Sequence, residues 1–452
     1  MSRLLSAFSG SGLMARVLRS ASWLMVGYGG SQALRLAANL IMTRLLFPEA
    51  FGIMTLVTVV IVGLSLFSDV GVGPAIAQNP RGDDPDFLNT AWTIQVFRGC
   101  MLFAVACLLT IPVARFYHEP DLVKYLPVGA LALLVSGFFP TRIETAHRHL
   151  LVGRLTVLDL ASQVIGIGFM VIYAELTQSV MALALGGVVT AVAKLILTHF
   201  LLPGPVNRFR WERAAADDLI HFGKWIFLST ALTFVISQGD RAILGRYLSI
   251  DMLGIYNIGY FLGSFPMMAG LSMIGRIMIP VYRDKPPAEN ATNRRHLSRL
   301  RAGMSLSIGL ALLLMAAIGP QLVGLLYDER YQLAGPMVTL IALSFYPRLV
   351  ILTYDNVALA MGDSRSYFIV MMVRAVLQIL WILLGLAYFG LVGGIVSMAL
   401  ATIASYPAVV WLARKYGAWD VRHDIVAVLT GVLATGLILW MHWADIALLA
   451  GY

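Results

Sequence analysis

An all-α polytopic membrane protein is predicted by three features of the sequence. Hydrophobic residues make up 59% of the 452-residue chain and charged residues only 13%, whereas soluble proteins carry about 25% charge. About twelve apolar stretches, plus one near the C-terminus, are each long enough to cross a bilayer as a helix, which takes about 20 residues. The stretch from Trp23 to Ile53 recurs without a gap at Trp225 to Ile255, so the chain reads as a duplicated half-molecule. The expected architecture is two parallel six-helix lobes plus an extra C-terminal transmembrane helix.

In chain order, residues 1–20 are expected to lie at the cytoplasmic membrane surface. Leu4, Leu5, Phe8, Val17 and Leu18 stand beside Arg3, Arg16 and Arg19, an interfacial pattern, with Gly10 and Gly12 weakening any continuous helix. No small-residue cleavage site follows a short apolar core, so no cleavable signal is expected. The N-lobe, 21–202, holds spans at 21–45, 52–78, 88–113, 124–147, 155–175 and 179–202. A polar connector with Pro203, Gly204 and Pro205 fills 203–222. The C-lobe, 223–415, holds spans at 223–248, 252–282, 301–326, 335–361, 366–389 and 391–413. A thirteenth span, 424–442, lies in the C-terminal region 416–452.

Charge sets the orientation. The net charge of +9 is not spread as a nucleic-acid surface would be, and no nucleic-acid partner is expected. Basic residues crowd alternate loops: Arg148 and Arg154, then Arg208, Arg210 and Arg213, then Arg283, Lys285, Arg294, Arg295, Arg299 and Arg301, then Arg414, Lys415 and Arg422. That positive-inside pattern puts the N-terminus and the connector in the cytoplasm. Six spans separate the two copies, so the copies point the same way through the membrane. Cys100 and Cys107 share one helix and are too far apart for a disulfide.

The repeat has two kinds of match. Arg44 falls on Arg246, Glu49 on Asp251 and Gly52 on Gly254; these mark helix ends, where an arginine snorkels to headgroups. Inside the stretch, Tyr28, Gln32, Arg35 and Asn39 share one helical face. The second copy answers with Thr230, Thr233, Ser237, Asp240 and Arg241. Both copies keep a polar face while exchanging its chemistry, so the two faces are expected to line a shared hydrated cavity.

Ionisable residues inside spans mark pathways or partners. Arg98 stands three residues from Gln95, Arg348 seven from Asp355, and Arg374 four from Gln378. Arg276, Tyr256 and Tyr260 lie in the eighth span. Asp69, Asp159 and Asp355 are candidates for ion coupling or for simple arginine partners. Glu144 and Arg148 have the spacing of a local helix pair. Pro74, Pro140, Pro266, Pro347 and Pro407 are expected to kink their spans. The sequence has neither a phosphate-binding Gly-rich loop with its lysine nor His, Cys and acid clusters at metal-ligand spacing. No catalytic residue, metal or cofactor is expected, apart from proton or sodium coupling.

Four phrases carry a resemblance: TRLLFPEAFGI with FSDVGVGPAIAQ, then SQGDRAILGRYLSIDMLGIYNIGY, then RIMIPVYRD. In helix order they resemble bacterial polysaccharide flippases of the Wzx type, in the multidrug/oligosaccharidyl-lipid/polysaccharide (MOP) exporter superfamily. The resemblance implies a MOP/MATE-like fold, with fourteen spans in many relatives against thirteen here. It implies a bacterial inner-membrane protein, not an enzyme, that moves undecaprenyl-pyrophosphate-linked oligosaccharide to the periplasmic leaflet for exopolysaccharide, capsule or O-antigen assembly. Its partners would be that substrate, membrane lipids and other polysaccharide assembly proteins. By position and chemistry, Arg35, Arg98, Arg241, Arg276, Arg348 and Arg374 are the candidates to attract the pyrophosphate. Gln32, Asn39, Tyr256 and Tyr260 are the candidates for sugar contacts. The alternatives are an ion-coupled multidrug exporter, whose cavity would favour acids and aromatics, and a membrane polysaccharide polymerase or ligase, which would need a substantial outer loop.

Overall fold

The computed structural model describes residues 13–69 and 71–451; the side chains of residues 13–21, 221–228, 276 and 450 are not among those described. Of the surface segment expected at 1–20, residues 1–12 lie outside the described residues and the backbone of 13–20 begins the first helix; the side chain of Arg276 also lies outside. The described chain is all helix and loop, with no strand among these residues.

The helices are α1 (Leu13–Leu45), α2 (Pro48–Phe67), α3 (Val72–Gln78), α4 (Pro85–Tyr117), α5 (Leu122–Gly137), α6 (Arg142–Arg148), α7 (Val152–Thr177), α8 (Met181–Leu201) and α9 (Arg213–Tyr247). There follow α10 (Ile250–Asp284), α11 (Ala291–Leu326), α12 (Ala334–Phe345), α13 (Arg348–Ile351), α14 (Tyr354–Ala360), α15 (Ser364–Ala404), α16 (Tyr406–Lys415), α17 (Val421–Met441) and α18 (Trp443–Ala447). Local chemistry fixes many starts. Pro48 opens α2 and Pro85 opens α4, where the missing N–H costs nothing. Asp84, Ser249 and Asp363 cap α4, α10 and α15 by accepting from backbone N–H groups, as short polar side chains do at N-termini.

The repeat is visible in the helix ends. α1 ends at Leu45 and α2 begins at Pro48; α9 ends at Tyr247 and α10 begins at Ile250. Each pair of ends differs by the 202 residues that separate the copies in sequence.

Among the described residues, nine helical segments are long and apolar enough to cross a membrane, or ten if the bent pair α5–α6 is one span. Thirteen were expected. One 52-residue stretch, Ser364–Lys415, carries two of the expected spans. They are divided at Phe389 and Gly390, where the backbone leaves the helix and Gly390 takes φ 55°. The count does not include α1 and α9, whose side chains are described only in part.

Several spans expected to be continuous are broken. The span 52–78 is divided: one helix is capped at Ser68, and Gly71, at φ 63°, precedes the next. The span 124–147 bends by 62° between α5 and α6, just where Pro140 withholds a donor. The span 335–361 becomes α12, α13 and α14, interrupted at Tyr346–Pro347 and again at Leu352–Thr353.

The chain forms two compact units, one ending at Phe234 and one beginning at Val235. The division falls inside α9, because its early residues pack with the first unit. Ala215 and Leu219 are buried with Ile76, Phe87 and Ala91, and Phe234 sits 5.3 Å from Phe67, centroid to centroid. In the first unit, α4 and α5 approach at Gly99 and Gly137, where an added Cβ would come within 3.0 Å of backbone. The connector is ordered. Arg142 donates to the carbonyls of His199 (2.7 Å) and Pro205 (2.8 Å), and Asn207 donates to Thr141 Oγ1 at 2.8 Å. Arg81 pairs with Glu212 at 2.7 Å and Arg210 with Asp86 at 2.8 Å. Arg148 does not pair with Glu144 as its spacing suggested. It donates instead to the carbonyls of Ile76 and Asn79 and pairs with Asp83 at 3.1 Å, because the helix end faces the loop after α3.

In the second unit, the segment Glu329–Ile351 is the innermost, with 89% of its apolar window buried by protein. α17 is pinned to α11, α14 and α16 by Asp424. That carboxylate accepts from Arg301 (3.2 Å), Tyr354 (3.0 Å) and Tyr406 (2.8 Å), and Arg301 lies 3.5 Å from the Tyr354 ring centroid.

Candidate functional site

The second unit encloses a cavity of about 220 Å³. Its walls come from α9 (Ile236), α10 (Ile274, Gly275), the broken segment α13–α14 (Arg348, Asp355) and α15 (Tyr367, Arg374, Gln378), with Thr402 and Ser405 beyond. The breaks shape it. Pro347 cannot continue the i to i−4 ladder, so α12 ends and two short helices follow. Arg348 and Asp355 were expected on one face of an unbroken helix; the helix is broken, yet both side chains line the cavity.

Arg374 and Asp355 form an ion pair, Nη1 to Oδ2. The pair is single-toothed. Arg374 Nε and Nη2 and Asp355 Oδ1 are buried with no hydrogen-bond partner among the described residues. Gln378 donates to the carbonyl of Ile236 at 3.3 Å. Two guanidinium groups thus face one carboxylate, an excess of positive charge in a partly dry space where charge interactions are strong. Such a site suits an anion whose oxygens can take the open donors.

Three other candidates of this unit lie elsewhere. Arg241 donates to Gln238 Oε1 at 3.2 Å and to the Ser237 carbonyl at 3.3 Å. Its guanidinium sits 4.0 Å from the Tyr260 ring centroid, a cation–π contact. Tyr256 is fully buried and donates to Asp240 at 2.7 Å. Tyr260 also meets Phe345 edge-on at 5.9 Å. None of the three lines the cavity. The polar face of α9 is thus partly consumed in holding α9 to α10.

In the first unit, the α1 face is less engaged. Gln32 donates weakly to Tyr28 at 3.4 Å, Arg35 is exposed and Asn39 is half-buried. Ser31 donates to Gln163 at 2.8 Å, holding α1 on α7. Arg98 is occupied: its Nη2 donates to the Ser65 carbonyl at 2.7 Å and its Nε to Ser68 Oγ at 3.0 Å. It thereby closes the C-terminal end of α2, whose last carbonyls lack helical partners. Asp69 accepts from the Gly71 N–H at 2.9 Å in the turn that follows. Asp159 pairs with Lys194 at 2.7 Å.

So the structure brings Arg348, Arg374 and Asp355 together and distributes the other described candidates. The sequence reading gave Asp159 no partner, placed Arg301 only among the loop cations, and did not single out Arg142 or Asp424. Pairing between segments far apart in the chain leaves no local spacing to read.

Solved structures of the same fold are transporters. The chain aligns with the lipid II flippase MurJ in an inward closed conformation at TM-score 0.66 and 10% identity, over 93% of this chain and 99% of that one. It aligns with an inward-facing multidrug resistance transporter of the MATE family, of the MOP superfamily, at TM-score 0.64 and 15% identity, over 86% and 95%. At such identities the likeness is one of fold, an all-helical polytopic one. Residues 41–336 match the family described as polysaccharide biosynthesis protein, and the chain belongs to that family. Its relatives include the teichuronic acid biosynthesis protein TuaB of Bacillus subtilis, 21% identical over 306 residues, 66% of this chain and 62% of that protein. The lipopolysaccharide biosynthesis protein WzxC of Escherichia coli is 20% identical over 334 residues, 73% and 67%. The chain thus matches about three-fifths to two-thirds of the length of these two relatives. The chain is thus a multi-pass membrane protein of a polysaccharide biosynthesis family.

Proposed function

We propose that this protein is a flippase that carries an undecaprenyl-pyrophosphate-linked oligosaccharide repeat unit from the cytoplasmic to the periplasmic leaflet, serving exopolysaccharide, capsule or O-antigen assembly. The observation that carries the reading is the cavity in which Arg348 and Arg374 face the single carboxylate of Asp355. A diphosphate and its sugars cannot cross hydrocarbon bare, because an isolated charge there costs tens of kcal/mol by idealised estimates. A cationic, partly hydrated site lowers that barrier, while the lipid tail stays in the bilayer. The names of TuaB and WzxC, both polysaccharide biosynthesis proteins, point the same way.

In this reading the residues form two six-helix lobes, 21–202 and 223–415, joined by the cytoplasmic connector 203–222, with the N-terminus in the cytoplasm. Transport proceeds by alternating access. Arg35, Arg241 and Arg276 add cationic character along the path, and Gln32 and Asn39 offer sugar contacts from α1. The excess of arginine over carboxylate in the cavity disfavours a cationic drug as cargo.

The test is genetic rescue in a strain that makes the lipid-linked repeat unit but cannot export it. The intact gene restores surface polysaccharide, and Arg374→Ala and Arg348→Ala abolish it at normal membrane levels. Restored drug efflux without restored polysaccharide sinks the proposal in favour of the multidrug exporter.

A further inference from the structure

Arg374 meets its partner with one nitrogen, although a guanidinium and a carboxylate bind most strongly through two parallel hydrogen bonds. The two unused nitrogens and the unused carboxylate oxygen are all buried without partners among the described residues. Leaving buried polar atoms unpaired is costly, so the pair is held at less than its best geometry inside a cavity that also contains Arg348.

We propose that Asp355 is an internal competitor for the substrate anion: a disubstituted diphosphate takes Arg374 from it, and Asp355 gains one proton as it is displaced. The proposal rests on the reading of this cavity as a diphosphate site. The reasoning is electrostatic. A diphosphate diester carries two negative charges, matching the two guanidinium groups. Once Arg374 turns to the ligand, the Asp355 carboxylate loses its counter-charge and sits beside a dianion, and both changes favour its protonated form. The proton comes from solvent, since the Asp355 side chain remains one-quarter exposed. It leaves when the ligand departs and the ion pair re-forms. No other bond is made or broken.

The groups facing Asp355 are accounted for element by element. α13 supplies Arg348, and α15 supplies Arg374 and Tyr367. α10 supplies Tyr282; the side chain of Arg276 on the same helix lies outside the described residues. From α16, Tyr406 is turned to Asp424. Among the described lining residues, Asp355 is the only carboxylic acid. Its competition also sets specificity. A monoanion exchanges one carboxylate for another at no gain, whereas a dianion engages both arginines.

By linkage, proton uptake on binding means tighter binding at lower pH. The test uses the full chain purified in detergent, with UDP-glucose as the probe, a disubstituted diphosphate whose two charges do not titrate over about pH 5 to 8. Calorimetry in two buffers of different ionisation enthalpy counts the protons. The intact protein should take up close to one proton per probe bound, with affinity rising by up to about tenfold per pH unit of acidification. Asp355→Asn should bind more tightly, take up none and lose the pH dependence. Asp355→Glu should keep both, which guards against reading a misfolded variant. Arg374→Ala should lose binding.

The failures are distinguishable. If the intact protein binds the probe and Arg374→Ala does not, but binding is independent of pH and unchanged in Asp355→Asn, the exchange is overturned and the transport reading stands. If the intact protein does not bind, or Arg374→Ala binds equally well, the diphosphate site itself falls and the exchange falls with it.

Discussion

Arg301 on α11 and Asp424 on α17 approach to 3.2 Å with side chains only 3% and 4% exposed. Their contact ties α17 to α11, and Arg301 also donates to the Val350 carbonyl of the innermost segment. Removing one partner of such a pair strands a buried charge, at a cost of about 3–5 kcal/mol. Asp424→Ala should therefore lower the thermal midpoint in detergent sharply. The double replacement Arg301→Met with Asp424→Leu should recover much of that loss, because two apolar groups leave no charge uncompensated. A double variant no more stable than the single one would show that Tyr354 and Tyr406 carry the contact instead.

Arg98 closes the end of α2 through Ser65 and Ser68. Hydrogen bonds to a charged group contribute about 1.5–3 kcal/mol. Arg98→Ala should reduce folded protein by that order while leaving export per folded molecule unchanged. Quantifying surface polysaccharide against membrane protein level checks this. A loss of export at full protein level would put Arg98 in the transport path.

The helical turn at Gly390 brings Gly385 against Gly393. A Cβ at Gly393 would fall 2.1 Å from the Gly385 carbonyl oxygen, and backbone cannot yield as a side chain can. Gly393→Val should destabilise by at least the roughly 1–3 kcal/mol typical of overpacking, measured as loss of the monodisperse peak after heating. Gly303→Ala, at a site with open space around it, is the control and should be neutral.

Asp363 caps α15 and also receives Lys415 and Tyr416 at the far end of α16. The hydrogen bond from Lys415 chiefly, with those from Ser366 and Tyr416, holds its carboxyl well below the usual carboxylate range. A depressed folded value means that the stabilisation is complete above the unfolded value of about 4 and is lost as pH falls below it. Acid should therefore loosen the α15–α16 junction locally, seen as faster hydrogen exchange near Lys415. In Asp363→Asn that acid response should be absent.

The broad fold was legible because its causes are local. Hydropathy marks the spans, and the expected span ends at 45 and 248 fall within a residue of the observed ends at Leu45 and Tyr247. The seven-residue spacing of Arg348 and Asp355 found two of the cavity's charges even though the assumed helix is broken. Interruptions were legible only in part. Pro140 and Pro347 announce theirs, while Ser68–Gly71 depends on a glycine with positive φ among many glycines. Partnerships were not legible. Arg374 answers Asp355 from 19 residues away around a turn, and Lys194 reaches Asp159 across a helical hairpin. Nothing in either neighbourhood specifies the other.

The separation of Arg301 from Asp424 also has a dimension in time. The chain emerges from the ribosome with the arginine 123 residues ahead of its counter-charge. At about 5–20 residues per second, the acid is made roughly 6–25 s later. Late in that interval α11 carries a cation whose neighbours Val350 and Tyr354 are already made but whose counter-charge is not. The pair can therefore form only once α17 has been synthesised.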